Sequence, residues 1–222
     1  MNVQEIYNML KEFIGYGNPS AQYWFIGMEE HWDFDCISDI SKAITENDID
    51  YYSKEIQPLT EESYTLCKFL DREKKYGTYE YGIKKIIESI IGKEIDHKFY
   101  TSFIFSTNVR FLPESLKPKI PEIFKINDID SYNEDENKRR KKIFKLWAQN
   151  ANKDRITFCL SLEYQRLFES LFSIEFNNSM QGSNIKLFES NNGEKIILMA
   201  HPASRQHFVK YLSELKALPL RY

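Results

Sequence analysis

The chain has no apolar run long enough to cross a bilayer, which excludes a transmembrane helix. Near Met1 it has no basic stretch followed by a long apolar one, so no secretory signal is expected. Cysteine is scarce. Cys36, Cys67 and Cys159 are three, an odd number without the paired spacing of a metal site. They are expected to be reduced thiols in a cytoplasmic protein, with Cys159 in the core because it lies within an apolar run. An excess of positive charge is also missing. The net charge of −3 argues against a protein that coats nucleic acid by bulk attraction, although it permits a local basic groove. The one concentrated basic run, Lys138 to Lys142, reads by itself as the solvated start of a helix. Neither a repeat nor a break in composition divides the chain, so residues 1–222 are expected to form one domain, and a monomer is expected.

What is present is enough for a folded domain with a full core. At 222 residues, with 42% hydrophobic and 15% aromatic content, the chain falls outside the disordered class. Val3, Ile6, Tyr7, Leu10, Phe13 and Ile14 recur at helical spacing, predicting a helix over 2–15 that Gly15 to Pro19 breaks. Strands are predicted at 22–27, 99–106 and 155–160. A strand pair, 185–188 and 194–200, is predicted around the turn Asn191-Asn192-Gly193. Helices are predicted at 37–46, 60–73, 79–91, 139–151, 162–172 and 204–216. Residues 28–36 read as a loop, as does the segment holding Pro113, Pro118 and Pro121. The acidic stretch 126–138 reads as an exposed connection. Strands separated by helices predict a three-layer α/β sandwich with a mostly parallel central sheet of about four strands.

The residues that follow each strand carry the functional signal. Met28, Glu29, Glu30 and His31 follow the first, Thr107 and Asn108 the second, Ser161 the third and His201 the last. In a parallel sheet these four ends open on one edge, where open α/β folds hold their ligands. Carboxylates, an amide, a hydroxyl and an imidazole would then converge on one crevice. That makes an enzyme the leading expectation.

At this point the residues resemble a known family. Gly27-Met28-Glu29-Glu30-His31 resembles the first motif of the uracil-DNA glycosylase superfamily: a strand, a glycine, a variable residue, an acid or asparagine, and usually proline. His201-Pro202-Ala203-Ser204 resembles its His-Pro-Ser motif. Thr107-Asn108-Val109-Arg110-Phe111-Leu112-Pro113 resembles the Thr-Asn…Pro segment that several branches carry between them. The resemblance spans roughly residues 18–210, with the three motifs in the family's order. The chain also departs from the pattern. Glu30 stands at the usual proline, Glu29 where other branches have aspartate or asparagine, and Ala203 separates Pro202 from Ser204. The four cysteines that bind an iron–sulfur cluster in one branch are absent, so neither a cluster nor any other metal or cofactor is expected.

The resemblance implies a monofunctional DNA glycosylase with DNA as its partner. Such an enzyme must take a nucleotide out of the helical stack and break a glycosidic bond as the sugar becomes cationic and the base anionic. Glu29 would supply the carboxylate that stabilises the sugar or activates water, with Glu30 as its rival or neighbour in the pocket. His201 would donate to the leaving base. Asn108 would read the base edge, because one amide offers both a donor and an acceptor. Trp32 and Phe34 could stack on the base and Ser204 could line the pocket. Arg205, Gln206 and Arg110 would contact DNA, the first two where related enzymes insert a side chain into the emptied stack. The target is left open between uracil, a deaminated purine and a modified cytosine such as some viral genomes carry. Two other functions compete. One is a nucleotide- or DNA-binding module on the same fold without catalysis; the other is an unrelated small-molecule hydrolase using a Glu–His pair.

Overall fold

The computed structural model describes residues 3–12, 16–28, 79–96, 99, 102–110, 112, 114–150, 154–178, 185–190, 193–202, 208–218 and 220. The helices expected at 37–46 and 60–73, and the loop beyond Met28, lie outside the described residues.

One sheet organises the rest. Its strands are β1 (Tyr16–Gly17), β2 (Tyr23–Gly27), β3 (Ile104–Asn108), β4 (Ile156–Leu160), β5 (Asn177–Asn178), β6 (Lys186–Glu189) and β7 (Lys195–Met199), in the order β1-β3-β2-β4-β7-β6-β5. The central four, β3-β2-β4-β7, are parallel to one another. The outer strands are antiparallel to their neighbours. Every residue of β2, β3 and β4 is buried. That is why β2 and β4 are nearly unbroken apolar runs rather than alternating ones: a central parallel strand is covered on both faces.

Alternate residues feed two cores, as the two-residue strand period requires. Tyr23, Phe25, Ile104, Phe158 and Met199 pack with Ile83, Ile86 and Ile87 of helix α2 (Tyr79–Ile91), and with Tyr211 and Leu215 of the C-terminal helix. Trp24, Ile26, Phe105, Cys159 and Leu198 pack on the other face, against helices further along the chain. The expected three-layer α/β arrangement with a mostly parallel centre is therefore present, but among the described residues the sheet has seven strands rather than about four, because short antiparallel strands extend the four parallel ones at both edges. The predicted helices at 79–91, 162–172 and the two ends of the chain appear as α2, a 3₁₀ turn (Leu162–Tyr164) continuing into an α-helix (Gln165–Phe172), α1 (Val3–Glu12) and the C-terminal helix (Phe208–Ala217).

Three expectations need correction. The second strand starts at Ile104 rather than at residue 99 and runs through Asn108, so Thr107 and Asn108 lie inside it. Its length is set by β2, with which it pairs residue for residue from Tyr23↔Ile104 to Gly27↔Asn108. The proline-rich segment is not a plain loop. It forms a 3₁₀ turn (Glu114–Lys119) and helix α3 (Ile120–Phe124), with Pro121 in the first turn, where its missing N–H goes unused. The acidic stretch is not a connection either. It forms the first turns of α4 (Ile129–Gln149), which Asp128 caps by accepting a 2.8 Å hydrogen bond from the Ser131 N–H. The inner face of α4 is Tyr132, Glu136, Arg139 and Ile143. Two of those four are charged, so an apolar periodicity could not reveal this face. The Lys138–Lys142 run consequently lies mid-helix, with Arg139 buried and Lys138, Lys141 and Lys142 exposed. The remaining helices are α5 (Gln165–Phe172) and α6 (Phe208–Ala217).

Candidate active site

The four parallel strands end at Gly27, Asn108, Leu160 and Met199, all on one edge of the sheet. Gly27 and Asn108 are register partners. A β-carbon on residue 27 would lie 2.1 Å from Asn108 Oδ1, so only glycine leaves room for the carboxamide in this position. The pairing continues past the strands. The Val109 N–H donates to the Gly27 carbonyl at 3.0 Å, and the Arg110 N–H to that of Met28 at 2.7 Å. Met28 is buried. The two chain ends thus leave the sheet side by side and hold each other.

Helix α4 fixes this corner from behind. Arg139, 1% exposed, donates through Nε to the Asn108 carbonyl oxygen at 3.0 Å. One turn earlier, the buried Glu136 carboxylate accepts from Tyr132 Oη at 2.7 Å and from Arg140 Nη2 at 3.2 Å, and lies 3.6 Å from Arg110 Nε. Burial, and next the Glu136 charge, push the Tyr132 phenol far above its ordinary pKa, so the hydroxyl stays protonated and donates to Glu136. Arg110 also lies over the Tyr164 ring, 5.7 Å from its centroid. Its side chain is only 12% exposed and faces Glu136. Arg110 is thus turned toward Glu136 beside this edge.

At the other end of the row, β7 delivers His201 and Pro202. His201 is half-buried and Pro202 is buried. Pro202 sits against Gly82 of α2, where an added β-carbon would meet Pro202 Cβ at 2.1 Å. The glycine within this amphipathic helix allows the close approach, which anchors the turn carrying His201. Between the two ends lies Ser161, directly after β4, whose N–H donates to the Met199 carbonyl at 2.9 Å.

Three strand spacings of about 4.8 Å separate β3 from β7, so the Asn108 and His201 ends stand roughly 14 Å apart along the edge. That is too wide for the two side chains to bond each other directly. It is wide enough for a planar heterocycle to accept hydrogen bonds from one side and donate from the other.

Of the expected site residues, Asn108 and His201 are on this edge, and Arg110 is beside it but turned inward. Glu29, Glu30, Trp32, Phe34, Ser204, Arg205 and Gln206 lie outside the described residues. Sequence reasoning missed Arg139, Glu136 and Gly82. The sole local signal among them is a glycine inside a helical pattern. A shallow cleft of about 450 Å³ lies past the end of β4 and is lined by Glu163, Tyr164, Gln165, Arg166, Leu167 and Glu169. Neither Asn108 nor His201 lines it. Among the described residues no three His, Cys, Asp or Glu side chains cluster as metal ligands, and no helix is long and apolar enough to cross a membrane.

The sequence matches no protein-family model. A search of curated proteins likewise finds no match.

Proposed function

We propose that the chain is a monofunctional DNA glycosylase with a uracil-DNA glycosylase-like fold over residues 1–222. In this reading a base leaves the DNA stack and enters the edge between β3 and β7. The observation that carries the proposal is the Gly27–Asn108 pair. A glycine at the end of one buried strand makes room for an amide at the end of the next, on the edge where β7 ends in His201. A side-chain amide buried at this strand end can match the donor and acceptor of a base edge.

The chemistry divides among the strand ends. Asn108 reads the base. His201, steadied by Pro202 against Gly82, donates to the base as negative charge grows on it. Glu29, two residues past the end of β2 in the sequence, stabilises the cationic sugar or activates water, with Glu30 next to it in sequence. Trp32 and Phe34 stack on the base, Ser204 lines the pocket, and Arg205 and Gln206 contact DNA. Because the Arg110 charge is turned to Glu136, the proposal places phosphate contacts on Arg205 rather than on Arg110.

The test is a panel of duplex and single-stranded oligonucleotides carrying uracil, hypoxanthine, xanthine, hydroxymethylcytosine or its glucosylated form, treated with alkali after incubation. Strand breaks on one of them that vanish in Glu29→Gln and His201→Ala support the enzyme. Binding without breaks on any of them favours a binding module. Breaks that survive both substitutions overturn the site.

A further inference from the structure

Ser161 has φ 134° and ψ 117°, a backbone conformation that residues with a β-carbon rarely adopt and that glycine takes freely. Two hydrogen bonds force it there. The Ser161 N–H continues the ladder to the Met199 carbonyl at 2.9 Å, while its carbonyl accepts from the Tyr164 N–H at 3.3 Å and closes the following turn. The chain must leave β4 and turn at a single residue. Among the described residues the other non-glycine residues with positive φ, Lys125 and Ser173, have φ of 52° and 55°, in the left-handed helical region at helix ends. Ser161 alone among them lies in the more strained region, and it lies on the edge that carries Asn108 and His201.

Ser161 precedes a 3₁₀ turn, yet among the described residues its hydroxyl does not cap that turn. Strand alternation would place residue 161 with Cys159, on the face opposite Tyr23 and Phe25. The strained φ interrupts the alternation at this residue. Ser161 follows the strand between β2 and β7, inside the span from Asn108 to His201. Backbone strain that persists where a glycine would relieve it points to a use for the side chain.

We infer that Ser161 is a binding residue: its hydroxyl hydrogen-bonds the polar edge of the heterocyclic base held between Asn108 and His201. The inference rests on the glycosylase reading above. A hydroxyl both donates and accepts, so it complements an exocyclic oxygen or an exocyclic amine, and it adds a third contact point from a third strand end.

Two variants separate strain from hydroxyl. Ser161→Gly relieves the strain and removes the hydroxyl. Ser161→Ala keeps the β-carbon, and so the strain, and removes the hydroxyl alone. Melting temperature and single-turnover abasic-site formation are measured for both on the oligonucleotide panel. Ser161→Gly should melt roughly 3–5 °C higher than the wild type. Ser161→Ala should melt close to it. Both should form abasic sites roughly tenfold more slowly, the loss expected for one hydrogen bond to a buried group. An active wild type with either variant undiminished overturns the role of Ser161 and leaves the glycosylase reading standing. A Ser161→Gly protein that melts lower than wild type also overturns it, because the strain is then absent. A wild type inactive on every oligonucleotide, with Ser161→Gly still more stable, overturns the glycosylase reading and the base contact with it.

Discussion

Asn108 Oδ1 lies 2.1 Å from the position that a β-carbon on Gly27 would take. Gly27→Ala must therefore displace the Asn108 carboxamide, since the pairing of β2 with β3 holds both backbones. Displacement by about 1 Å at a reacting site lowers rates by roughly two orders of magnitude. Gly27→Ala should lose about 100-fold in base release while its far-ultraviolet circular dichroism stays as in the wild type. Unchanged kinetics in this variant would contradict the placement of Asn108 over Gly27.

Gly82 and Pro202 make the matching contact at the opposite end of the site. Alanine in place of an interior helical glycine ordinarily stabilises by about 1 kcal/mol. At position 82 the β-carbon would overlap Pro202, and overpacking of this kind costs about 1–3 kcal/mol. Gly82→Ala should therefore destabilise, by about 1 kcal/mol net in urea unfolding. The opposite sign would show that the helix and the His201 turn are not in contact.

Glu136 joins Tyr132, Arg140 and Arg110 behind the site. Removing one partner from a buried charge cluster leaves the others unpaired, at a cost of about 3 kcal/mol. Glu136→Ala should lose about that much stability by chemical denaturation. Pairing it with Arg110→Met should recover part of the loss, because the buried cation then goes too. A double variant no more stable than the single one would place the main energy of Glu136 with Tyr132 and Arg140.

The α4 cap gives a pH signature. Hydrogen bonds from the Ser131 backbone N–H, and then its hydroxyl, hold the Asp128 carboxyl below its ordinary pKa. A folded-state pKa below the unfolded one stabilises the protein above the unfolded value of about 3.9, and this contribution is lost as pH falls through the folded value. Asp128→Ala should melt below the wild type at pH 7, and the gap should shrink as pH falls under about 4. A gap independent of pH would mean that the carboxylate charge contributes nothing to the cap.

The parts of this fold legible in the sequence are those made of apolar runs. The strands at Tyr23–Gly27, Ile156–Leu160 and Lys195–Met199 fall close to their expected bounds because both faces of each are buried, which forces unbroken hydrophobic sequence. Helix α4 was half hidden because its inner face uses Glu136 and Arg139. Glu136 accepts from Tyr132 and Arg140, and Arg139 donates to the Asn108 carbonyl, across distances the sequence does not encode. The start of β3 was misjudged because Phe99 and Phe103 look like strand residues. Phe99 instead packs on Tyr23 outside the strand, and Phe103 is exposed. Within the site, Asn108 and His201 could be read as polar residues at strand ends. The approach of Arg110 to Glu136 is not legible, because Glu136 lies in a segment that reads as an exposed connection.

The most direct measurement is mass-spectrometric detection of free base, together with the abasic strand, from the oligonucleotide that the panel identifies. The account predicts equimolar free base and abasic strand from the wild type, and a rate at least 100-fold lower in Asn108→Ala with the melting temperature little changed. Strand cleavage without free base, or an Asn108→Ala protein as fast as the wild type, would contradict it.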